Sequence, residues 1–159
     1  MKIFGKSLSD YLSFEKGFLI LILAVGLGRL VLSLLGVPNS TVKFLSLTVV
    51  FLLGMLYYSV RVYTTGFGGY MQLLPVIALQ VILGNCIIIA GIMLAIVSGK
   101  DNIFSAPEFS GGADGKTWGH VGGHFLAMIV APLVLWLVGS LIMFATKKVT
   151  GGKEQPLAP

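Results

Sequence analysis

Residues 73–97 read LLPVIALQVILGNCIIIAGIMLAIV, without a single Asp, Glu, Lys or Arg. About 20 consecutive apolar residues carry an α-helix across the hydrocarbon core of a bilayer, so this stretch is expected to span a membrane. Three further runs meet the same length rule. Residues 17–36 are interrupted only by Arg29, residues 44–63 reach Arg61 near their end, and residues 120–145 contain no Asp, Glu, Lys or Arg. The expected fold class is therefore all-α: a polytopic membrane protein with four transmembrane helices in two hairpins. The transmembrane unit covers residues 17–146, with a loop over 98–119.

The composition supports this reading. Of 159 residues, 56% are hydrophobic and 11% charged, with a mean hydropathy of +0.96. Soluble domains carry about a quarter charged residues, and a soluble fold of this size leaves about a third of its chain surface in water. The net charge of +5 does not imply nucleic acid. That would need basic residues grouped on one solvated face, whereas here they lie mostly at the ends of apolar runs. The expected surroundings are the lipid bilayer and other membrane subunits, or further copies of this chain. Cys86 is the single cysteine and excludes an intrachain disulfide. Its apolar setting suggests a buried thiol behaving as a small hydrophobe.

Lys2 and Lys6 precede an apolar run twice the length of a signal-peptide core, and no small-x-small site follows. The N-terminus is expected to stay attached. Within the N-terminal segment 1–16, residues 7–16 suggest a short interfacial helix, because Leu8, Tyr11, Leu12 and Glu15 share roughly one face. Asn39-Ser40-Thr41 matches a glycosylation acceptor. So close to the membrane it reads instead as a turn whose Asn39 or Ser40 caps the second span. Gly/Pro-containing residues 147–159 are expected to form a disordered tail.

Positive charge sets orientation. Lys2, Lys6, Lys16, Arg61, Lys147, Lys148 and Lys153 fall on one side, and Lys43, Lys100 and Lys116 on the other. This bias places both termini in the cytoplasm of what is expected to be a bacterial inner membrane, with the 98–119 loop outside.

Lipid gives helices no apolar reason to associate, so small residues and polar glue are needed. Gln80, Gly84, Gly91, Ala95 and Ser98 fall on one side of the third span, with Asn85 nearby. A packing role for them is preferred to a polar substrate lining. On the fourth span, His120, His124, Ala127 and Ala131 lie within about 60° of one another at 100° per residue, and Pro132 should bend the helix.

Those two histidines are the first candidate chemistry. His residues four apart place two imidazoles toward one metal, with a third ligand to come from Glu108, Asp114 or Asp101. Val121 stands where a hydrolase would carry its general-base Glu, so no catalytic residues are assigned. One of the two imidazoles would still serve as an axial haem ligand with a partner chain. The plainer alternative is hydrogen bonding at the membrane interface. Arg29 is the second candidate. It lies roughly 10 Å of helix rise from Gly36, and an arginine inside a membrane is costly unless paired or functional. Snorkelling or a salt bridge competes with a joint pocket of Arg29, His120 and His124, closed by the third loop, for an anionic or quinone-like headgroup.

Three functions remain. The first is a non-enzymatic accessory or scaffolding subunit of a larger membrane complex. The second is a subunit binding a metal, haem or quinone near His120, His124 and Arg29. The third is a small oligomeric transporter or channel lined by Gln80 and Asn85.

Overall fold

The computed structural model describes residues 2–151. Four helices are long and apolar enough to cross a membrane: α1 (Leu8–Leu34), α3 (Leu47–Thr64), α4 (Tyr70–Ser98) and α5 (Trp118–Val149). A one-turn helix α2 (Asn39–Val42) lies between the first two. A short 3-10 helix, Pro107–Phe109, sits in the long loop. Before α1, strands β1 (Lys2–Ile3) and β2 (Lys6–Ser7) pair antiparallel. Their two-residue turn puts Phe4 and Gly5 at positive φ, the geometry that matches the twist of a tight hairpin.

Several boundaries differ from those expected. Residues 7–16 form no separate interfacial helix but the first turns of α1. Ser7 and Asp10 cap it reciprocally, at 3.1 and 2.7 Å, and nothing breaks the helix before Gly17. The expected shared face also divides. Tyr11 and Glu15 are fully buried, while Leu8 and Leu12 face outward. Tyr11 donates to the Ile3 carbonyl at 2.9 Å, and Gln72 to that of Phe4 at 2.8 Å, which ties the hairpin to the bundle.

The cap of α3 is Ser46, not Asn39 or Ser40. The short α2 carries the chain past those two, so they never reach the start of α3. At the far end α5 runs to Val149 and includes Lys147 and Lys148 in its last turn, where cations oppose the negative end of the helix dipole. Residues 152–159, most of the expected tail, lie outside the described residues.

Helix α4 packs against each of the other three long helices. The expected packing residues do lie inward: Gln80, Gly84, Gly91 and Ala95 are all buried. The glycines admit specific partners. The Phe51 ring occupies the space a side chain at 84 would need, the Phe104 ring that at 91, and the Gln80 amide that at Gly54 of α3. Ser98, at the end of that row, is exposed. Cys86 is also exposed, a correction to the buried thiol expected. It sits with Ile82, Ala90 and Met93 on the outward row of α4, where the surroundings are lipid.

One buried polar pair lies nearer the chain termini. Glu15 and Gln80 share a 3.0 Å hydrogen bond from the Gln80 amide to Oε2, and Glu15 Oε1 has no partner.

Gly84→Leu would drive a side chain into the Phe51 ring, an overpacking that costs about 1–3 kcal/mol. Gly28 has nothing within 4 Å of an added Cβ, so Gly28→Leu should be tolerated. Thermal unfolding midpoints in detergent should fall for the first variant and hold for the second.

Candidate functional site

At the long-loop end of the bundle the helices diverge around a cavity of about 340 Å³. Arg29 enters it from α1, Ser46, Leu47, Thr48 and Phe51 from the start of α3, and His120 and His124 from the first turns of α5. Lys43 stands among the lining residues, and Ile103, Phe104 and Phe109 come from the loop.

The loop is held in place by its own polar residues. Asn102 is buried and donates to the Gly91 carbonyl at 2.7 Å. Its side-chain oxygen accepts from the Phe104 N–H at 2.9 Å. The Ile103 N–H donates to Ser33 of α1 at 2.8 Å. These bonds set Phe104 against Gly91 and over Arg29, whose guanidinium lies 5.4 Å from the Phe104 ring and 5.6 Å from that of Phe109. Asn102 and Phe104 were not singled out from the sequence. Their signal is the apolar pair Ile103-Phe104 inside an otherwise polar loop.

The three expected site residues, Arg29, His120 and His124, line this one cavity. Each imidazole is oriented from behind. His120 Nδ1 is 3.0 Å from the Gly115 carbonyl, which can only accept, so this nitrogen carries the proton. His124 Nδ1 is 2.7 Å from Asn85 Oδ1. The Asn85 amide nitrogen is committed to the Val81 carbonyl at 2.9 Å, so here too Nδ1 donates. Among the described residues neither Nε2 has a hydrogen-bond partner, and the ring centroids are 5.0 Å apart.

Metal ligands are commonly oriented in this way, but the rest of the expected ligand set is elsewhere. Among the described residues no three His, Cys, Asp or Glu side chains converge. Glu108 accepts from Asn39 at 3.0 Å. Asp101 and Asp114 lie 2.7 and 3.6 Å from Lys116. Each carboxylate has a nearer donor than the histidines. A divalent ion among the imidazoles would also meet the charges of Arg29 and Lys43. At an effective dielectric near 20, each would repel it by about 3 kcal/mol even at roughly 10 Å.

An anion meets the opposite field. Among the described residues, the only ion pairs are those of Lys116, so Arg29 has no carboxylate beside it. Its Nε is buried without a hydrogen-bond partner. The α3 N-terminus adds to the attraction. Ser46 caps the Val49 N–H, but the N–H groups of Leu47 and Thr48 belong to the first turn and have no intrahelical acceptor. Those groups, together with the helix dipole, favour a phosphate or carboxylate.

Compared with known proteins, the chain matches no family model, no curated protein and no solved structure. The fold and the cavity therefore define its class directly: a four-helix integral membrane protein with a cationic cavity under an ordered loop.

The Asn39 bond holds the Glu108 carboxyl below its ordinary value near 4.5. A depressed carboxyl stabilises the folded loop above the unfolded value and loses that contribution as pH falls through the folded one. Exchange protection factors of residues 105–112, which divide out the intrinsic pH dependence of amide exchange, should thus be high at neutral pH and fall below about pH 4.5. Glu108→Gln keeps an acceptor for Asn39 and should remove the pH dependence.

Proposed function

We propose that this protein is a non-enzymatic membrane subunit that binds an anionic, phosphate-bearing headgroup in the cavity formed by Arg29, Lys43, His120 and His124. The observation that carries this reading is the arginine. A guanidinium held within a transmembrane helix is costly unless something compensates it, and Arg29 lines a cavity containing Lys43 and no acidic side chain. An anion supplies the missing charge. Its oxygens accept from Arg29, from Lys43 and from the free N–H groups of Leu47 and Thr48. The Nε2 atoms of His120 and His124 accept from a ligand hydroxyl, or donate when protonated.

This support puts ligand binding ahead of a purely scaffolding role, although a binding subunit also fits within a larger complex. Transport has less to recommend it. Gln80 and Asn85 line neither the cationic cavity nor the groove between α3 and α5. Each is engaged within the bundle, and Phe51 fills the space at Gly84 between them. A quinone fits the cavity less well than a phosphate, because it is neutral and leaves the charges of Arg29 and Lys43 uncompensated.

Hydrogen bonds to a charged group contribute about 1.5–3 kcal/mol. Arg29→Gln should therefore weaken binding of an anionic phospholipid about ten- to hundred-fold, and Arg29→Lys by less. Lipid titration followed by native mass spectrometry reads this directly. Equal binding by wild type and Arg29→Gln sinks the proposal.

The proposed setting is a bacterial inner membrane with both termini in the cytoplasm, supported by the excess of basic residues at that end. Aromatic rings accompany them there: Lys147 lies over Tyr63 and Tyr70, and Lys6 over Phe67, as interfacial anchors do. In a Cys86→Ser background, Ala113→Cys should react with an impermeant maleimide on intact spheroplasts. Lys6→Cys should react only after permeabilisation; the reverse pattern would refute the orientation.

A further inference from the structure

The cationic cavity does not end at Phe51. Thr48 and Phe51 also line a groove of about 460 Å³ between α3 and α5, walled further by Leu52, Ala127, Ala131 and Val134. The two spaces thus share a boundary, and the shared residues lie at the start of α3. On α5 the same half-buried row passes from His120 and His124 in the cavity to Ala127 and Ala131 in the groove. From Ala127 to Leu135 the groove follows α5 for roughly 12 Å, away from the loop and toward the middle of the helix.

We propose that this groove receives one acyl chain of a membrane phospholipid whose phosphate sits in the cavity, an inference that rests on the anion-binding reading above. The occupant must be charged at one end and alkyl along the rest, because the site is. Its cations, Arg29 and Lys43, stand only at the loop end. The groove itself is apolar apart from the Thr48 hydroxyl, and its walls include exposed Leu52, Val130 and Val134. Those side chains face lipid, so a chain enters sideways from the bilayer without crossing water. A free phosphate ion would fill the cavity and leave the groove unused. Lipid tails are as apolar as leucine, so the groove contributes little transfer energy. It fixes the orientation of a lipid that the cations retain.

The test compares dihexanoyl- and dipalmitoyl-phosphatidylglycerol by native mass spectrometry of the full chain, with wild type, Ala131→Phe and Arg29→Gln in one detergent. Partitioning of each lipid into micelles is common to all three proteins and cancels. Ala131→Phe fills the groove. It should weaken the long-chain lipid about tenfold relative to wild type while the short-chain lipid stays within about twofold. Val134→Phe narrows the same groove from an exposed position and reads the same way should Ala131→Phe not fold, as judged by its unfolding midpoint. If a folded groove variant keeps the wild-type affinity for the long chain, the chain lies elsewhere and the inference is overturned. Arg29→Gln should weaken both lipids equally. If it weakens neither, the headgroup reading itself fails, whatever the groove variants do. Loss of short-chain binding in the groove variants would show that they disturb the cavity, and would also overturn the assignment of the groove to the chain.

Discussion

Helices in a bilayer gain almost nothing by hiding apolar side chains from one another, so close fit must supply what burial supplies in water. Here that fit is concentrated on α4, which, like α3, contacts all three other long helices. Its two buried glycines are notches: Gly84 takes the Phe51 ring of α3, and Gly91 the Phe104 ring of the loop. Gly54 of α3 returns the arrangement by admitting Gln80. The cavity depends on the same contacts. Phe104 settled against Gly91 is what lays a ring over Arg29, and Phe51 settled against Gly84 is what divides the cationic space from the core beneath it.

Helix α4 also distributes the buried polar groups. Its Gln80 pairs with Glu15 toward the termini, and its Asn85 with His124 toward the loop. Without water, each such amide must find a protein partner or cost several kcal/mol. The bond to His124 has a second consequence. By accepting from Nδ1–H it fixes which nitrogen is left for the cavity. Gln80 and Asn85 are only five residues apart, yet the Phe51 ring fills the notch between them, so the two polar pairs stay separate.

The four spans were legible in the sequence because hydropathy is a local property, readable one helix at a time. The inward row Gln80, Gly84, Gly91 and Ala95 was legible for the same reason, since 100° per residue needs no knowledge of neighbours. Arg29 and the two histidines were offered as a joint pocket from their positions along the spans, and they do line one cavity. Partners were not legible. Glu15 looked like an interfacial residue because its hydrogen-bond acceptor role is set by Gln80, 65 residues away. Glu108 was offered as a metal ligand, but Asn39, 69 residues distant, holds it. The loop read as polar and glycine-rich, so the anchoring role of Asn102 was hidden by its composition. In each case depth and face followed from counting, while pairing followed from how the helices are arranged about α4.

The arginine remains the least comfortable group in the fold, and its surroundings indicate what would relieve it. Cation–π contact with Phe104 and Phe109 engages the guanidinium through ring faces, which does not satisfy its N–H donors. A purely structural arginine in a membrane protein is expected to spend those donors on carbonyls or carboxylates. Among the described residues Arg29 does neither, and its buried Nε is unpartnered. Acceptor oxygens carrying negative charge would satisfy the donors and offset the charge together, so the anion proposed above would stabilise the bundle by mass action as well as fill the cavity. On that proposal, binding and fold stability would be two readings of the same interaction.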